Sequence, residues 1–187
     1  AAYYTQSGWR GRLETEGGGA LINQSIHTMD LLGVLLGKPV SVEAQTANHH
    51  LPGIIEVEDM MEAYIRYENA EACFYATTAY TEDAPPLIEI SCENVVIRIE
   101  DLDVTLFWKD GCGGSGRIER PEIVKKQALG KSYWGTGHLD CISDFYRCLK
   151  TGGRFAQDLD GVRDTVRLML GAYESAGCAG KEIRLKL

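Results

Sequence analysis

Between Val57 and Trp108 the chain is a succession of short alternating runs, and the links between them are too short for a crossover. Val57–Tyr67 and Ala72–Tyr80 read as a hairpin about Glu68-Asn69-Ala70-Glu71. Met61, Ala63, Ile65 and Tyr67 alternate on one arm, and Cys73, Tyr75 and Thr77 on the other. Leu87–Ser91, Val95–Ile99 and Val104–Trp108 follow, joined by Glu93-Asn94 and Asp101-Leu102-Asp103. Joins of that length make antiparallel neighbours, because a parallel pair needs a connection of about a dozen residues or more. Val40–Ala47 adds a strand before the hairpin and Lys181–Leu187 one at the end. His138–Lys150 and Asp160–Ala176 carry apolar residues at helical spacing. Residues 109–135 are irregular. The fold class expected is α+β: a large, mostly antiparallel open sheet with helices packed on one face.

The helix that precedes these strands is unusual. Glu16–Gly37 is opened by Gly17-Gly18-Gly19 and closed by Gly37, and its apolar residues cover most of the circumference. This predicts a largely buried helix, with glycines that admit a ligand or another domain. Asn23, His27 and Asp30 are the exception, falling together at i, i+4 and i+7. Polar groups on a buried helix need partners. Either they bond to the protein's own backbone, or they line a cleft in which His27 can exchange a proton near neutrality.

Composition excludes several classes. A net charge of −8 without a Lys/Arg cluster argues against a nucleic-acid surface. No apolar run approaches the roughly 18 residues a membrane span needs, and the amino terminus has no signal-peptide pattern. Six cysteines without CxxC spacing argue against a zinc site and for reduced thiols in the cytoplasm; Cys141 and Cys148 read as small core residues. Gly111–Gly116 satisfies GxGxxG but opens no helix, so it reads as a mobile loop and not as a dinucleotide fingerprint. The adjacent His49 and His50 make a poor metal pair, and His138 reads as a buried residue at a helix start. A metal-dependent hydrolase using His27, Asp30 and a distant histidine is a minor alternative.

Taken in order, Gly8-Trp9-Arg10-Gly11, Glu16–Leu21, Asn23-Gln24-Ser25-Ile26-His27, Asp30-Leu31-Leu32, Val57-Glu58-Asp59, Gly137-His138 and Tyr173-Glu174-Ser175-Ala176 form a recognisable string. It resembles the carboxy-terminal domain of the glucose–fructose oxidoreductase / inositol dehydrogenase / rhizopine catabolism (Gfo/Idh/MocA) family over nearly the full length. The resemblance implies that residues 1–187 are the substrate-binding and oligomerisation domain of a two-part dehydrogenase. NAD or NADP would then be held mainly by an amino-terminal Rossmann domain, which this chain lacks together with that domain's lysine–proline motif.

By the same resemblance, His27 assists deprotonation of a reacting sugar or polyol hydroxyl, and Asn23, where many members carry aspartate, positions the substrate. Trp9 and Arg10 are candidate substrate contacts. The implied partners are a sugar or polyol, the chain's own Rossmann domain, and further copies of the chain through the open sheet face. A fragment of this kind should be inactive alone. The competing expectation is a non-catalytic binding or scaffold domain of the same fold.

Overall fold

In a computed structural model of the protein, the described residues are 2–82, 84–100, 103–109, the backbone of 116–118, 137–155 and 157–186. They fall into two compact units, residues 1–81 with 156–187, and residues 82–155.

The first unit opens with two single-turn helices that the sequence did not announce, α1 (Ala2–Thr5) and α2 (Leu13–Glu16). A π-helical turn, Leu21–Ser25, runs directly into α3 (Ile26–Leu36), which stops at Gly37 with φ 90°. Strands β1 (Pro39–Ala47), β2 (Met60–Tyr67) and β3 (Glu71–Thr77) then form an antiparallel meander.

The second unit holds β4 (Leu87–Ser91), β5 (Val95–Glu100), β6 (Asp103–Trp108) and β7 (Gly116–Ile118), followed by α4 (Gly137–Thr151). The chain closes in the first unit with α5 (Leu159–Gly177) and β8 (Ile183–Arg184).

The α+β class, the antiparallel pairing and the open form of the sheet are as expected, while among the described residues the strands divide into two four-stranded sheets where one large sheet was expected. Their orders are β3-β2-β1-β8 and β4-β5-β6-β7, one sheet in each unit. Short links fix which neighbours pair. The loop from Thr78 to Pro86 is long enough to end one sheet and start another, which strand periodicity does not report.

In the first sheet, register places Ala44 opposite Ala63 and Ala63 opposite Phe74, all on the face under α5. Gly171, Ala172 and Ser175 are buried on α5, small enough for the helix to lie close to β1. A Cβ on Gly171 would stand 2.6 Å from Leu185 and 3.3 Å from Val42. Ser175 accepts the Ala44 N–H at 2.8 Å and donates to the Lys181 carbonyl at 2.7 Å, which ties α5, β1 and the β8 approach together. Leu21, Met29, Val42, Met61, Ile65 and Leu168 are almost completely buried around this joint.

The outer face is polar. Glu43, Tyr64 and Cys73 stand side by side across β1, β2 and β3, and Arg66 bridges Glu43 at 2.7 Å and Glu182 at 3.0 Å. In the second sheet, Ile88, Ile99 and Val104 are cross-strand neighbours, as are Ile90, Ile97 and Leu106, giving that sheet one apolar face.

Two expectations from the sequence are corrected. Within α3 only Met29 and Leu32 are buried, whereas Leu31, Val34 and Leu35 are 50, 75 and 44% exposed. The helix packs on α5 along one stripe only, and uniform apolarity cannot say which stripe that is. His138 is exposed in the first turn of α4, not buried. Cys148 is buried and Cys141 partly so, and the five described cysteines are free thiols. The irregular stretch 109–135, with its glycine loop and Tyr133-Trp134-Gly135, lies outside the described residues apart from Lys109 and 116–118. No helix among the described residues is long and apolar enough to cross a membrane.

Candidate functional site

The amino-terminal end of the π turn and α3 is fixed by a buried carboxylate. Glu58, 8% exposed, accepts the Gly19 N–H at 2.9 Å and the Leu21 N–H at 3.0 Å. The Tyr173 hydroxyl donates to the same carboxylate at 2.9 Å, and the Glu58 carbonyl accepts the Ala20 N–H at 3.0 Å. A carboxylate here satisfies donors that the start of a helix leaves open and complements the helix dipole. Burial raises the Tyr173 phenol above its ordinary pKa, and the Glu58 charge and hydrogen bond raise it further.

This arrangement explains Gly18 and Gly19 and corrects the expectation for them, while Gly17, with φ 82°, ends α2. A Cβ on Gly19 would lie 1.9 Å from the Glu58 carbonyl oxygen, and one on Gly18 would lie 2.2 Å from the Tyr173 hydroxyl. What comes close is the chain's own strand entry and last helix, not a ligand or another domain. The neighbouring Asp59 is fully buried and accepts the N–H groups of His49, His50 and Leu51 at 2.9, 2.6 and 3.0 Å. The histidine pair is thus held through its backbone. Burial would raise the Asp59 pKa, but the three N–H donors outweigh it and hold the group below its usual value.

From that fixed end the sequence-nominated residues project. Asn23 is exposed on the π turn, and His27 is exposed in the first turn of α3, four residues further on. The His27 ring makes no hydrogen bond within the described residues. A π turn widens the helix and often marks a functional position; here the Ser25 hydroxyl donates to the Ala20 carbonyl at 3.1 Å within it. Asp30 does not share the role of the other two. It accepts from Thr165 at 2.5 Å and fastens α3 to α5.

Trp9 and Arg10 occupy a loop that is folded on itself. Thr15 donates to the Trp9 carbonyl at 2.6 Å, and Gly11 donates its N–H to Glu16. The Arg10 guanidinium stacks over Tyr3 at 4.2 Å and Trp9 at 4.9 Å, and its Nε is buried without a partner. Glu16 also accepts from the Asn23 amide at 2.9 Å, so one carboxylate joins the Trp9–Gly11 loop to Asn23.

Three surface depressions are lined elsewhere: over the outer face of the first sheet, between α3 and α5, and along α4. None of these three is lined by Asn23 or His27, which stand on an open surface. Sequence reasoning missed Glu16, Glu58 and Tyr173 as parts of this arrangement. The available signals were an acidic residue abutting a glycine run and two adjacent carboxylates opening a buried strand.

An α+β domain of this kind is also what comparison with known proteins finds. The GFO/IDH/MocA C-terminal domain profile matches residues 1–98, just over half of the 187, and the chain belongs to that family. No curated protein matches it.

Among solved structures, the WlbA dehydrogenase from Bordetella pertussis, in complex with NADH and UDP-GlcNAcA, is 26% identical with a TM-score of 0.72. That match covers 100% of this chain and 51% of the other. Levoglucosan dehydrogenase, in complex with NADH and levoglucosan, is 19% identical with a TM-score of 0.78, covering 96% of this chain and 53% of the other. The aldose-aldose oxidoreductase from Caulobacter crescentus, complexed with glycerol, is 20% identical with a TM-score of 0.72, covering 95% and 50%. The chain therefore spans about half the length of the structures it matches.

Proposed function

We propose that this chain is the substrate-side domain of an NAD(P)-dependent dehydrogenase that transfers hydride between a sugar- or polyol-type hydroxyl and nicotinamide. The observation that carries the reading is His27, whose imidazole is open and unbonded on a helix whose start is pinned by Glu58. An imidazole so placed can take a hydroxyl proton as the carbon gives up hydride. Asn23, one turn earlier, is an amide and cannot accept that proton, so its part is to orient the hydroxyl-bearing carbon. The solved relatives that carry NADH with levoglucosan or a nucleotide-linked sugar acid support this substrate class.

The residues described do not fit a dinucleotide site of their own. Gly18 and Gly19 are closed against Tyr173 and Glu58, which leaves no phosphate cradle at these two glycines. A nicotinamide held by a second domain would supply the hydride acceptor. The exposed stripe of Leu31, Val34 and Leu35 on α3 suits packing against such a domain. Without it the chain should not turn over. Association of copies through the outer sheet face, where Tyr75 is 63% exposed, is part of the same proposal.

The test is a dehydrogenase screen of the protein joined to its dinucleotide-binding domain, against sugars, polyols and sugar acids with NAD and with NADP. Cofactor reduction with at least one such hydroxyl compound is expected. Failure with all of them, in a folded protein that binds either cofactor, would contradict the reading.

A further inference from the structure

The Asn23 amide has a defined orientation. Its Nδ2 donates to Glu16 at 2.9 Å and to the Gly18 carbonyl at 3.3 Å. Turned by half a revolution, the amide would set its own oxygen against a carboxylate and a carbonyl, with no proton between them. That arrangement is strongly disfavoured, so the nitrogen side is committed inward. The second oxygen of Glu16 accepts the Gly11 N–H, so the carboxylate is itself held at both ends. Asn23 is exposed, and its Oδ1 accepts no hydrogen bond from the described residues.

We propose that Glu16 is a positioning residue that locks Asn23 with its oxygen outward, so that the ligand atom meeting Asn23 is a hydrogen-bond donor, a hydroxyl and not a carbonyl or carboxylate oxygen. The inference rests on the proposed dehydrogenase reading and makes it narrower. It also explains how an amide can serve at this position. With both nitrogen hydrogens engaged, the group offers only an acceptor, as a carboxylate would, but without a charge beside Glu16. By the same clip, Glu16 sets the Trp9–Gly11 loop relative to Asn23.

The chemistry predicts a swap. In Glu16→Gln, the new amide oxygen keeps the Gly11 N–H and its nitrogen faces the Asn23 nitrogen, donor against donor, so Asn23 either keeps that conflict or turns over and gives up its bond to the Gly18 carbonyl. In Asn23→Asp, two carboxylates meet and cannot both stay ionised without cost. With both substitutions together, the introduced glutamine donates from its nitrogen to the introduced aspartate and accepts from Gly11 on its oxygen. The bond between the two side chains is then remade with donor and acceptor reversed, whereas the weaker 3.3 Å bond to the Gly18 carbonyl is not, so recovery stops short of wild type.

The experiment is a four-protein cycle of wild type, E16Q, N23D and E16Q/N23D. Thermal unfolding is followed together with kinetics on levoglucosan, D-glucose and myo-inositol with NAD, in the protein joined to its dinucleotide-binding domain. Each single substitution should lower Tm and raise KM about tenfold, with a smaller loss in kcat, while the double variant recovers both to within about threefold in KM. Additive losses in Tm and KM, or a double variant worse than either single one, would overturn the proposal. If the wild type turns over none of the three probes, the dehydrogenase reading fails for these substrates. Recovery of Tm in the double variant then still shows the Glu16–Asn23 lock, and its absence still overturns it.

Discussion

The Tyr173 hydroxyl, near the end of the last helix, donates to the carboxylate of Glu58 at 2.9 Å, and that carboxylate holds the start of the helix bearing His27. Removing the carboxylate should therefore be felt both as lost stability and as a displaced site. Glu58→Ala leaves the Gly19 and Leu21 N–H groups without their acceptor and should cost about 2 kcal/mol or more. Tyr173→Phe removes one bond and should cost about 1 kcal/mol. Chemical denaturation of both variants checks the order; equal or negligible losses would contradict it.

The phenol of Tyr173 should also shape the alkaline limit. Its pKa is raised in the folded protein by burial first and by Glu58 second, from an ordinary value near 10. A raised pKa means that the contribution is complete below about pH 10 and is lost as pH climbs beyond it. Tyr67, pushed up to about 12 by burial, acts in the same direction. Denaturation midpoints across pH 8 to 11 should fall more steeply for wild type than for Tyr173→Phe.

Asp59 works in the opposite sense. Burial alone would raise its pKa, but three backbone donors hold it below its ordinary value near 3.8. Its stabilisation is present above that value and disappears as pH falls through the lowered one. Asp59→Asn, with one acceptor oxygen for three N–H groups, should lose about 2 kcal/mol at neutral pH. The gap from wild type should close in acid, which an unfolding series from pH 7 to pH 2 would show.

Two glycines, one before the π turn and one inside α3, should respond in opposite directions to alanine. Gly19→Ala drives a Cβ into the Glu58 backbone, which cannot give way, and should cost about 1–3 kcal/mol. Gly33→Ala meets nothing within 4 Å inside α3 and should stabilise by about 0.5–1 kcal/mol. Melting of the two variants side by side tests whether the run at Gly19 is needed for close approach.

Much of this fold is legible in the sequence, because strand alternation and short links are local. Met60–Tyr67 and Glu71–Thr77 fall within three residues of the expected hairpin arms Val57–Tyr67 and Ala72–Tyr80, and α4 and α5 agree with expectation to within a residue at each end. Where the sheet divides is not local, and neither is the side of α3 that packs, since Leu31 and Leu32 are chemically alike while one is exposed and the other buried. For the candidate site, helical spacing picks out Asn23 and His27 but wrongly groups Asp30 with them. Only coordinates show that Thr165, 135 residues away, claims that carboxylate. Glu16 and Glu58 are invisible as partners for the same reason: what they bind is main chain and amide brought up by folding.

The central claim is that His27 takes part in proton transfer from a substrate hydroxyl. Its most direct test is kcat/KM of His27→Ala against wild type, in the protein joined to its dinucleotide-binding domain and with a hydroxyl substrate found in the screen. A loss of about 100-fold or more is expected, the range for removing an acid/base group. A loss below about threefold, in a variant that melts like wild type, would place His27 outside the chemistry.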